Sequence, residues 1–218
     1  MAMKRGEPKP AYYPVSLNIK GRKCVVVGGG EVARRKVKAL LEHGAMVTVI
    51  SPELSPELVQ LAEHGAIEAL NREYRAGDLK DSFLAIAATD DSDTNRQIVR
   101  EARDRVVLVN VVDDAQNSDF IVPSCLRRGD VTIAVATAGR SPALARKIRT
   151  RLEKDFGEEY AALALLIDEV RAEVKKRGIT VGGDDWQEAL DLDKLIELLR
   201  KGEREKARAL ILSRLKAG

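Results

Sequence analysis

A glycine-rich segment has the Gly-x-Gly-x-x-Ala spacing that binds the pyrophosphate of a dinucleotide when it connects a strand to a helix. It reads Gly28-Gly29-Gly30-Glu31-Val32-Ala33. In such a site Gly28 permits the tight turn, Gly30 lets the backbone approach a phosphate, and Ala33 lets the helix pack closely on the strand. The free amides of Glu31 and Val32 and the helix dipole would face the negative charge. The same glycines could also form a turn with only a structural role.

A dinucleotide site also needs a partner for the ribose, normally a carboxylate at the end of the second strand. Here that position holds Ser51, Pro52 and Glu53, which we predict as cofactor contacts. Glu53 could bind the ribose diol of NAD, or it could be a solvated residue at the start of the next helix. Arg34 and Arg35 would suit a 2′-phosphate by charge, but their positions favour a solvated helix face. The local sequence therefore favours NAD over NADP.

The segment after the fourth predicted strand, Ala87-Ala88-Thr89-Asp90-Asp91, begins with small residues. Small side chains suit a backbone that passes close to a cofactor, and Thr89 offers a hydroxyl as a further cofactor contact. A second interpretation is that Asp91 or a neighbour caps the following helix. The two interpretations are compatible.

Asp113 follows the fifth predicted strand in the sequence Asn110-Val111-Val112-Asp113. Open α/β sheets bind ligands at the carboxyl ends of their strands, so this carboxylate would emerge at the ligand-binding edge. Beside a nicotinamide it could accept a proton as hydride leaves a substrate. From the residues alone, an aspartate that only stabilises a turn is the preferred interpretation.

A basic cluster lies between residues 127 and 154, where eight Lys and Arg face two acidic residues, for a net charge of +6. The cluster includes Arg140 and Arg146 and predicts an anionic ligand. A nucleic acid is less suitable because aromatic residues for base stacking are missing here. A small polycarboxylate fits at least as well.

Composition excludes several classes of protein. The 218 residues carry 37 Lys and Arg against 34 Asp and Glu, a net charge of +3 that is too weak to indicate a nucleic-acid binder. Cys24 and Cys125 lie about a hundred residues apart, and neither has a second Cys or His at the spacing of metal ligands. We therefore predict neither a disulfide framework nor a zinc site. The expected location is the reducing cytoplasm. His43 and His64 precede glycines at predicted helix ends, where they would contact terminal carbonyls. No apolar run approaches the ~20 residues of a membrane span, so no membrane association is expected.

Apolar runs alternate with helical periodicity over residues 23 to 112, which predicts a parallel sheet with crossover helices. Strands are predicted at 24–27, 47–50, near 67, 83–88 and 106–112, with helices at 32–43, 54–64 and 94–104. Two further strands, 120–123 and 131–136, could form an antiparallel pair. Later helices are predicted at 142–156, 160–176, 186–200 and 204–216. The fold class is therefore α/β: a Rossmann-type NAD-binding domain over 1–113, a small β segment over 114–148 and a helical domain over 149–218.

Five linked motifs resemble the precorrin-2 dehydrogenase family, the dehydrogenase module of siroheme synthase. They are Val-Val-Val-Gly-Gly-Gly-Glu-Val-Ala-Arg-Arg-Lys at 25–36, Ala-Ile-Ala-Ala-Thr-Asp-Asp at 85–91, Asn-Val-Val-Asp at 110–113, Phe-Ile-Val-Pro-Ser at 120–124 and Gly-Arg-Ser-Pro-Ala-Leu-Ala-Arg at 139–146. The resemblance runs in order over about residues 12 to 150 and is loose beyond about 155.

The resemblance implies NAD-dependent oxidation of precorrin-2 to sirohydrochlorin in siroheme synthesis, by a homodimer that exchanges the segment 114–148 between subunits. It assigns the catalytic role to Asp113, which reverses the preference for a turn residue, and a substrate-binding hydroxyl to Thr137. Precorrin-2 carries eight carboxylates, which would account for Arg140 and Arg146 as substrate ligands. Some family members also insert iron into sirohydrochlorin. Two alternatives stay open: a non-catalytic module that senses NAD, and a tetrapyrrole-binding or nucleic-acid-binding protein that uses the basic cluster.

Overall fold

The computed structural model describes residues 11–215, and its chain forms two compact units. The first unit ends at Val122 and the second begins at Pro123. Residues 114–122 therefore pack with the first unit, and not with the β segment in which the predicted division into 1–113, 114–148 and 149–218 places them. The finer division at 148 stays a prediction.

The first unit is built on a five-stranded parallel sheet. Its strands are β1 (Lys23–Val27), β2 (Met46–Ile50), β3 (Glu68–Leu70), β4 (Leu84–Ala87) and β5 (Leu108–Val111). Their spatial order is β3-β2-β1-β4-β5, and every neighbouring pair is parallel. This arrangement confirms the predicted Rossmann-type sheet and places β1 and β4 beside each other near its centre.

Helices cover both faces of the sheet, which is why β1 and β4 are almost continuously apolar. Helices α1 (Glu31–Glu42) and α2 (Pro56–Glu63) pack on one face, and α3 (Ser92–Arg105) packs on the other. Val26 of β1 contributes to the first of these two cores and Val25 to the second, and neither side chain is exposed. All strands are parallel, so their carboxyl ends meet at one edge of the sheet.

The free edge of β5 is covered by the segment that follows it. The Val109 amide donates to the Asp119 carboxylate at 2.9 Å, and the Val111 amide donates to the Ser118 hydroxyl at 2.9 Å. The Asn110 side chain donates to the Phe120 carbonyl at 3.0 Å. Side chains thus satisfy the backbone groups that an edge strand would otherwise expose. These contacts join residues 114–122 to the sheet.

The predicted strand at 120–123 is wrong. Residues 120–123 have no regular secondary structure, and the ladder begins one residue later, where Ser124 pairs with Val135. Phe120 is tied to β5 through its carbonyl, and Pro123 has no amide to donate. The apolar run that indicated a strand instead connects the two units.

Glu101 on α3 holds the loop that precedes β4. Its carboxylate accepts from the Tyr74 hydroxyl at 2.5 Å, from the Gly77 amide at 3.0 Å and from Arg105 at 2.6 Å. Burial alone would raise the pKa of Glu101, but these hydrogen bonds together hold it below its ordinary value of 4.5. The ionised carboxylate is therefore a stabilising part of this unit.

Glu101→Gln should lower the free energy of unfolding by about 1–3 kcal/mol at pH 7, because an amide cannot accept all of these hydrogen bonds. The folded pKa lies below the unfolded one, so the contribution is complete above the unfolded value and is lost as the pH falls through the folded value. Chemical denaturation of both proteins between pH 7 and pH 3 measures the difference, which should shrink with acidification. The control is Glu42→Gln, at an exposed position with no side-chain hydrogen bond within residues 11–215. A Glu101→Gln deficit that does not change with pH would contradict this account.

The second unit begins with a hairpin of two antiparallel strands, β6 (Ser124–Arg128) and β7 (Val131–Val135). Helix α4 (Pro142–Asp155) packs against both strands. The remaining helices are α5 (Glu159–Lys176), α6 (Gly183–Ala189), α7 (Leu192–Arg200) and α8 (Arg204–Leu215). Helices α5, α7 and α8 share a core that includes Leu166, Leu195 and Ile211.

The single helix predicted at 186–200 is wrong, because the chain breaks there into α6 and α7. The break falls at Leu190 and Asp191, and the Asp191 carboxylate accepts from the Lys194 amide at 3.3 Å as the cap of α7. Arg214 of α8 donates to the same carboxylate at 2.8 Å. Capping by aspartate therefore stabilises a new helix start within one continuous periodic pattern. Within residues 11–215, no helix has the length and apolar character needed to cross a membrane.

Candidate active site

Gly28 turns the chain from β1 toward α1 in a conformation that favours glycine. Its φ is +125°, and its amide donates to the Ile50 carbonyl at 2.9 Å. A Cβ at this position would lie 2.2 Å from the Ala88 carbonyl oxygen. The loops after β1 and β4 thus approach each other too closely for any side chain at Gly28.

Gly29, the variable position of the fingerprint, is as constrained as its neighbour. A Cβ there would lie 1.8 Å from the Glu53 carbonyl oxygen, and the Gly29 carbonyl accepts from the Ser55 amide at 2.8 Å. The loops after β1 and β2 are therefore locked together through backbone. The Gly-x-Gly fingerprint allows any residue at this middle position, so it does not predict a glycine here. The run of three successive glycines was the available signal.

Gly30 is different, because a Cβ built on it would meet no protein atom within 4 Å. Gly30 is also the N-cap of α1 and supplies no side-chain cap, so the amides of Glu31 and Val32 lie in the first turn, where helices leave amides without intrahelical acceptors. Open space beside unpaired amides at a helix start is the arrangement that a phosphate needs. These residues therefore fit the pyrophosphate of a dinucleotide.

The side chain of Glu31 is already paired. Its carboxylate accepts from Arg34 at 2.6 Å, a hydrogen bond that lowers the pKa of Glu31. Any contribution of Glu31 to a phosphate would thus come from its amide, as the fingerprint predicts. Arg34 is engaged in the same exposed ion pair, which agrees with the predicted solvated helix face.

The predicted ribose contacts after β2 divide into two groups. Ser51 is buried, and its hydroxyl donates to the Glu53 carbonyl at 2.7 Å, so it holds the turn that packs on Gly29. Pro52 and Glu53 are exposed, and the Glu53 carboxylate makes no hydrogen bond within residues 11–215. Glu53 is therefore the residue of the three whose side chain is available for a ribose diol.

Thr89 lies in the turn between β4 and α3. Its hydroxyl accepts from the Asp91 amide at 2.8 Å, and its carbonyl accepts from the Asn95 side chain at 3.0 Å. Asp91 is the cap of α3, where its carboxylate accepts from the Asp93 and Thr94 amides. The capping interpretation is thereby confirmed. A role of Thr89 at the cofactor stays a prediction.

Asp113 emerges two residues after β5, at the same edge of the sheet as the glycine loop. Val27, Ala87 and Val111 are register partners on β1, β4 and β5, so the segments that follow these three strands lie side by side. Adjacent strands are about 4.8 Å apart, which places the end of β5 roughly 10 Å from that of β1. A nicotinamide dinucleotide extends well beyond that distance.

The backbone at Asp113 has φ +59°, a region that aspartate tolerates better than most residues. The neighbouring carboxylate of Asp114 organises the turn by accepting from the Gln116 and Asn117 amides at 3.1 and 3.2 Å. Asp113 is exposed, and its carboxylate has no hydrogen-bond partner among the described residues. The turn therefore depends on Asp114 and leaves the Asp113 carboxylate available.

Lys36 is a neighbour of Asp113 that motif spacing does not identify. It lies half-buried on α1. Burial lowers the pKa of its ammonium group, Arg35 lowers it further, and the Asp113 carboxylate opposes both effects. A cation on α1 thus interacts electrostatically with the predicted catalytic carboxylate. In the sequence, the feature that distinguishes Lys36 is its position between Ala33 and Val37, which are both buried on α1.

The predicted substrate ligands Thr137, Arg140 and Arg146 lie in the second unit. The Thr137 hydroxyl donates to the Ser141 carbonyl and accepts from its amide, both at 3.0 Å, at the start of α4. Arg140 and Arg146 are exposed and form no ion pair within residues 11–215. Their role as substrate ligands stays a prediction.

The described residues contain no group of three or more His, Cys, Asp or Glu side chains that could hold a metal ion. His43 and His64 instead contact the carbonyls of Ala39 and Gln60 through Nδ1, each at 2.7 Å. The predicted helix-end role of both histidines is confirmed.

Two family models match the chain. The family described as "Putative NAD(P)-binding" covers residues 15–124, half of the chain, and "Sirohaem biosynthesis protein central" covers residues 128–154. These matches confirm the predicted nicotinamide dinucleotide cofactor, and they place the fingerprint and Asp113 within the first model.

Relatives extend the similarity over most of the chain. Siroheme synthase of Chromobacterium violaceum is 41% identical over 95% of this chain, and siroheme synthase of Thioalkalivibrio sulfidiphilus is 40% identical over the same share. The chain spans 44% and 42% of these two relatives, which is less than half their length. Among solved structures, SirC, a precorrin-2 dehydrogenase, is 26% identical with a TM-score of 0.70, and the match covers 95% of this chain and 100% of that one.

The structure has a parallel sheet with the glycine loop after β1 and an aspartate after β5. The first family model and the relatives cover this same part of the chain. The chain therefore belongs to the family described as putative NAD(P)-binding, and over most of its length it is similar to siroheme synthases and to SirC, a precorrin-2 dehydrogenase.

Proposed function

We propose that this chain oxidises precorrin-2 to sirohydrochlorin with NAD. The observation that carries the proposal is the Asp113 carboxylate, which is exposed and unpaired among the described residues at the edge that holds the glycine loop. A base at this position is what a dehydrogenase requires and what a module that only senses NAD does not. The similarity to SirC, a precorrin-2 dehydrogenase, supports the choice of substrate.

The oxidation removes two electrons and two hydrogens from the substrate, one as hydride and one as a proton. When bound, NAD supplies the hydride acceptor. Gly28 and Gly29 let three loops close together, and Gly30 with the first amides of α1 binds the phosphates. Asp113 accepts the proton and later releases it to water. Lys36 on α1 places a positive charge within electrostatic range of this carboxylate.

Several further features belong to the proposal. The chain acts as a homodimer, and Thr137, Arg140 and Arg146 contribute to binding of the tetrapyrrole. Neither a nucleic acid nor a membrane is a partner. The reaction takes place in the cytoplasm, a location supported by two free cysteines, of which Cys24 is buried and Cys125 is exposed.

Incubation of the chain with precorrin-2 and either NAD⁺ or NADP⁺ tests the proposal, with the absorbance spectrum reporting sirohydrochlorin. NAD⁺ should support turnover at least about tenfold better, because an exposed Glu53 carboxylate repels a 2′-phosphate. Glu53→Gln should narrow this preference. Equal use of both cofactors by the parent chain would contradict the role of Glu53, and no turnover with either would contradict the proposed activity.

A parallel reaction with Fe²⁺ separates oxidation from iron insertion. Some family members perform both reactions, so the spectrum should be followed beyond sirohydrochlorin. Siroheme formation above the rate of a protein-free control would establish iron insertion as a second activity. A spectrum that stops at sirohydrochlorin would limit the chain to oxidation.

A further inference from the structure

A groove of about 520 Å³ runs between α3 and the turn that follows β5. One wall is a single face of α3, and the other is formed by residues 111–114 and Asn117. Asp113 lines this groove, so a ligand in it lies beside the proposed catalytic carboxylate. Every lining residue belongs to the first unit.

The α3 wall carries a row of three arginines, Arg96, Arg100 and Arg103. Their spacing of four and three residues places the guanidinium groups along one side of the helix over roughly 10 Å. Arg96 is paired with Asp93. Arg100 and Arg103 are exposed, and neither side chain has a hydrogen bond or an ion pair within residues 11–215. The row therefore leaves two positive charges that no described carboxylate neutralises.

The base of the groove is apolar. Val99 of α3 and Val111 of β5 are buried there, and Val112 is half-buried beside them. An apolar base with cations along one wall suits a flat apolar ring system that has carboxylates on its periphery. An extended phosphate backbone would instead need a larger basic surface. Unpaired arginines bind carboxylates well because the planar guanidinium can form two parallel hydrogen bonds.

We propose that Arg100 and Arg103 bind peripheral carboxylates of the tetrapyrrole and so hold its edge beside Asp113. The inference rests on the proposed function and adds a substrate-binding site on α3 to the predicted ligands of the second unit. It assigns the two arginines to substrate binding and leaves proton transfer to Asp113.

The test is titration of the protein with uroporphyrin, an octacarboxylate porphyrin, followed by porphyrin fluorescence. Arg100→Gln and Arg103→Gln should each weaken binding about tenfold, and the double variant about a hundredfold. Binding by the parent protein should weaken with added salt, and the double variant should show a smaller salt dependence. The double substitution should weaken binding of a dicarboxylate porphyrin less than it weakens binding of the octacarboxylate.

Lys80→Gln is the matched control, because it also removes one exposed positive charge in the first unit but lies before β4, at the opposite edge of the sheet. It should bind uroporphyrin as the parent protein does. The arginines are exposed, so the Tm of their variants should stay within about 2 °C of the parent value. If the double variant binds as tightly as Lys80→Gln, the inference is wrong. Sedimentation velocity reports the oligomeric state of the double variant. If this variant binds uroporphyrin more weakly because its oligomer has dissociated, the groove is a subunit contact and the inference is also wrong.

Steady-state kinetics distinguish failure of this inference from failure of the proposed function. With precorrin-2, the double variant should raise KM by one to two orders of magnitude and change kcat little. If turnover requires Asp113 but the double variant has the KM of the parent protein, the groove assignment is wrong and the proposed oxidation stands. Arginine-dependent porphyrin binding without any precorrin-2 turnover would overturn the proposed oxidation alone.

Discussion

Asp113→Asn is expected to lower the rate of precorrin-2 oxidation by about 10²–10⁴-fold, the usual contribution of a positioned base. Asparagine has nearly the same size, but its amide cannot accept the proton. It also tolerates the φ of +59° found at this position, so the turn should persist. Stopped-flow or steady-state absorbance measures the rate, and calorimetric titration with NAD⁺ should show unchanged cofactor affinity.

Asp114→Asn is the control for this substitution. Asp114 lines the same groove and organises the turn by accepting from the amides of Gln116 and Asn117. An asparagine oxygen can still accept these hydrogen bonds, so oxidation should fall by less than about tenfold. An Asp113→Asn protein that oxidises precorrin-2 at the parental rate would exclude Asp113 as the base. It would favour the alternative of a module that binds NAD without catalysis.

Gly30→Ala is expected to weaken NAD⁺ binding by roughly 5- to 150-fold without destabilising the fold. The added Cβ meets no protein atom within 4 Å, so the chain itself has room for it. The same methyl group would occupy the space in front of the first α1 amides, and such a steric conflict costs about 1–3 kcal/mol. Calorimetric titration with NAD⁺ and thermal unfolding without cofactor measure the two effects separately.

Gly28→Ala and Gly29→Ala make the comparison informative. Their Cβ atoms would lie 2.2 Å and 1.8 Å from backbone carbonyl oxygens of Ala88 and Glu53. Backbone cannot move aside cheaply, so both variants should lose stability as well as NAD⁺ affinity. If Gly30→Ala binds NAD⁺ as tightly as the parent chain, the space beside Gly30 does not hold the cofactor.

The sheet was predictable from the sequence because its strands are short apolar runs between helices with clear periodicity. Val25, Val26 and Val27 could be read as a central strand since side chains on both faces are apolar. The errors occurred where pairing depends on distant residues. The apolar run at 120–123 looks like a strand, but Pro123 and the contacts of this segment with β5 keep it out of a ladder. Likewise, Asp191 interrupts a periodic pattern that gave no other sign of a break.

For the site, sequence determined the residue types that the chemistry needs: the glycine fingerprint, Glu53 and Asp113, with the aspartate selected by resemblance. Their division of roles was decided by tertiary structure, because each role depends on partners that are far away in the chain. Ser51 turned out to hold a turn, Asp114 to organise the loop beside Asp113, and Lys36 to act on Asp113 electrostatically.

The +6 charge of residues 127–154 can be counted from the sequence, and it predicts Arg140 and Arg146 as ligands of an anion. The row on α3 could not be found by counting, because Arg96, Arg100 and Arg103 are interspersed with acidic residues. Only the folded chain pairs Arg96 with Asp93, leaves the other two arginines unpaired among the described residues, and places all three in one groove with Asp113. Sequence fixes which charges are present, whereas the packing of α3 against β5 decides which of them are left free to bind a ligand.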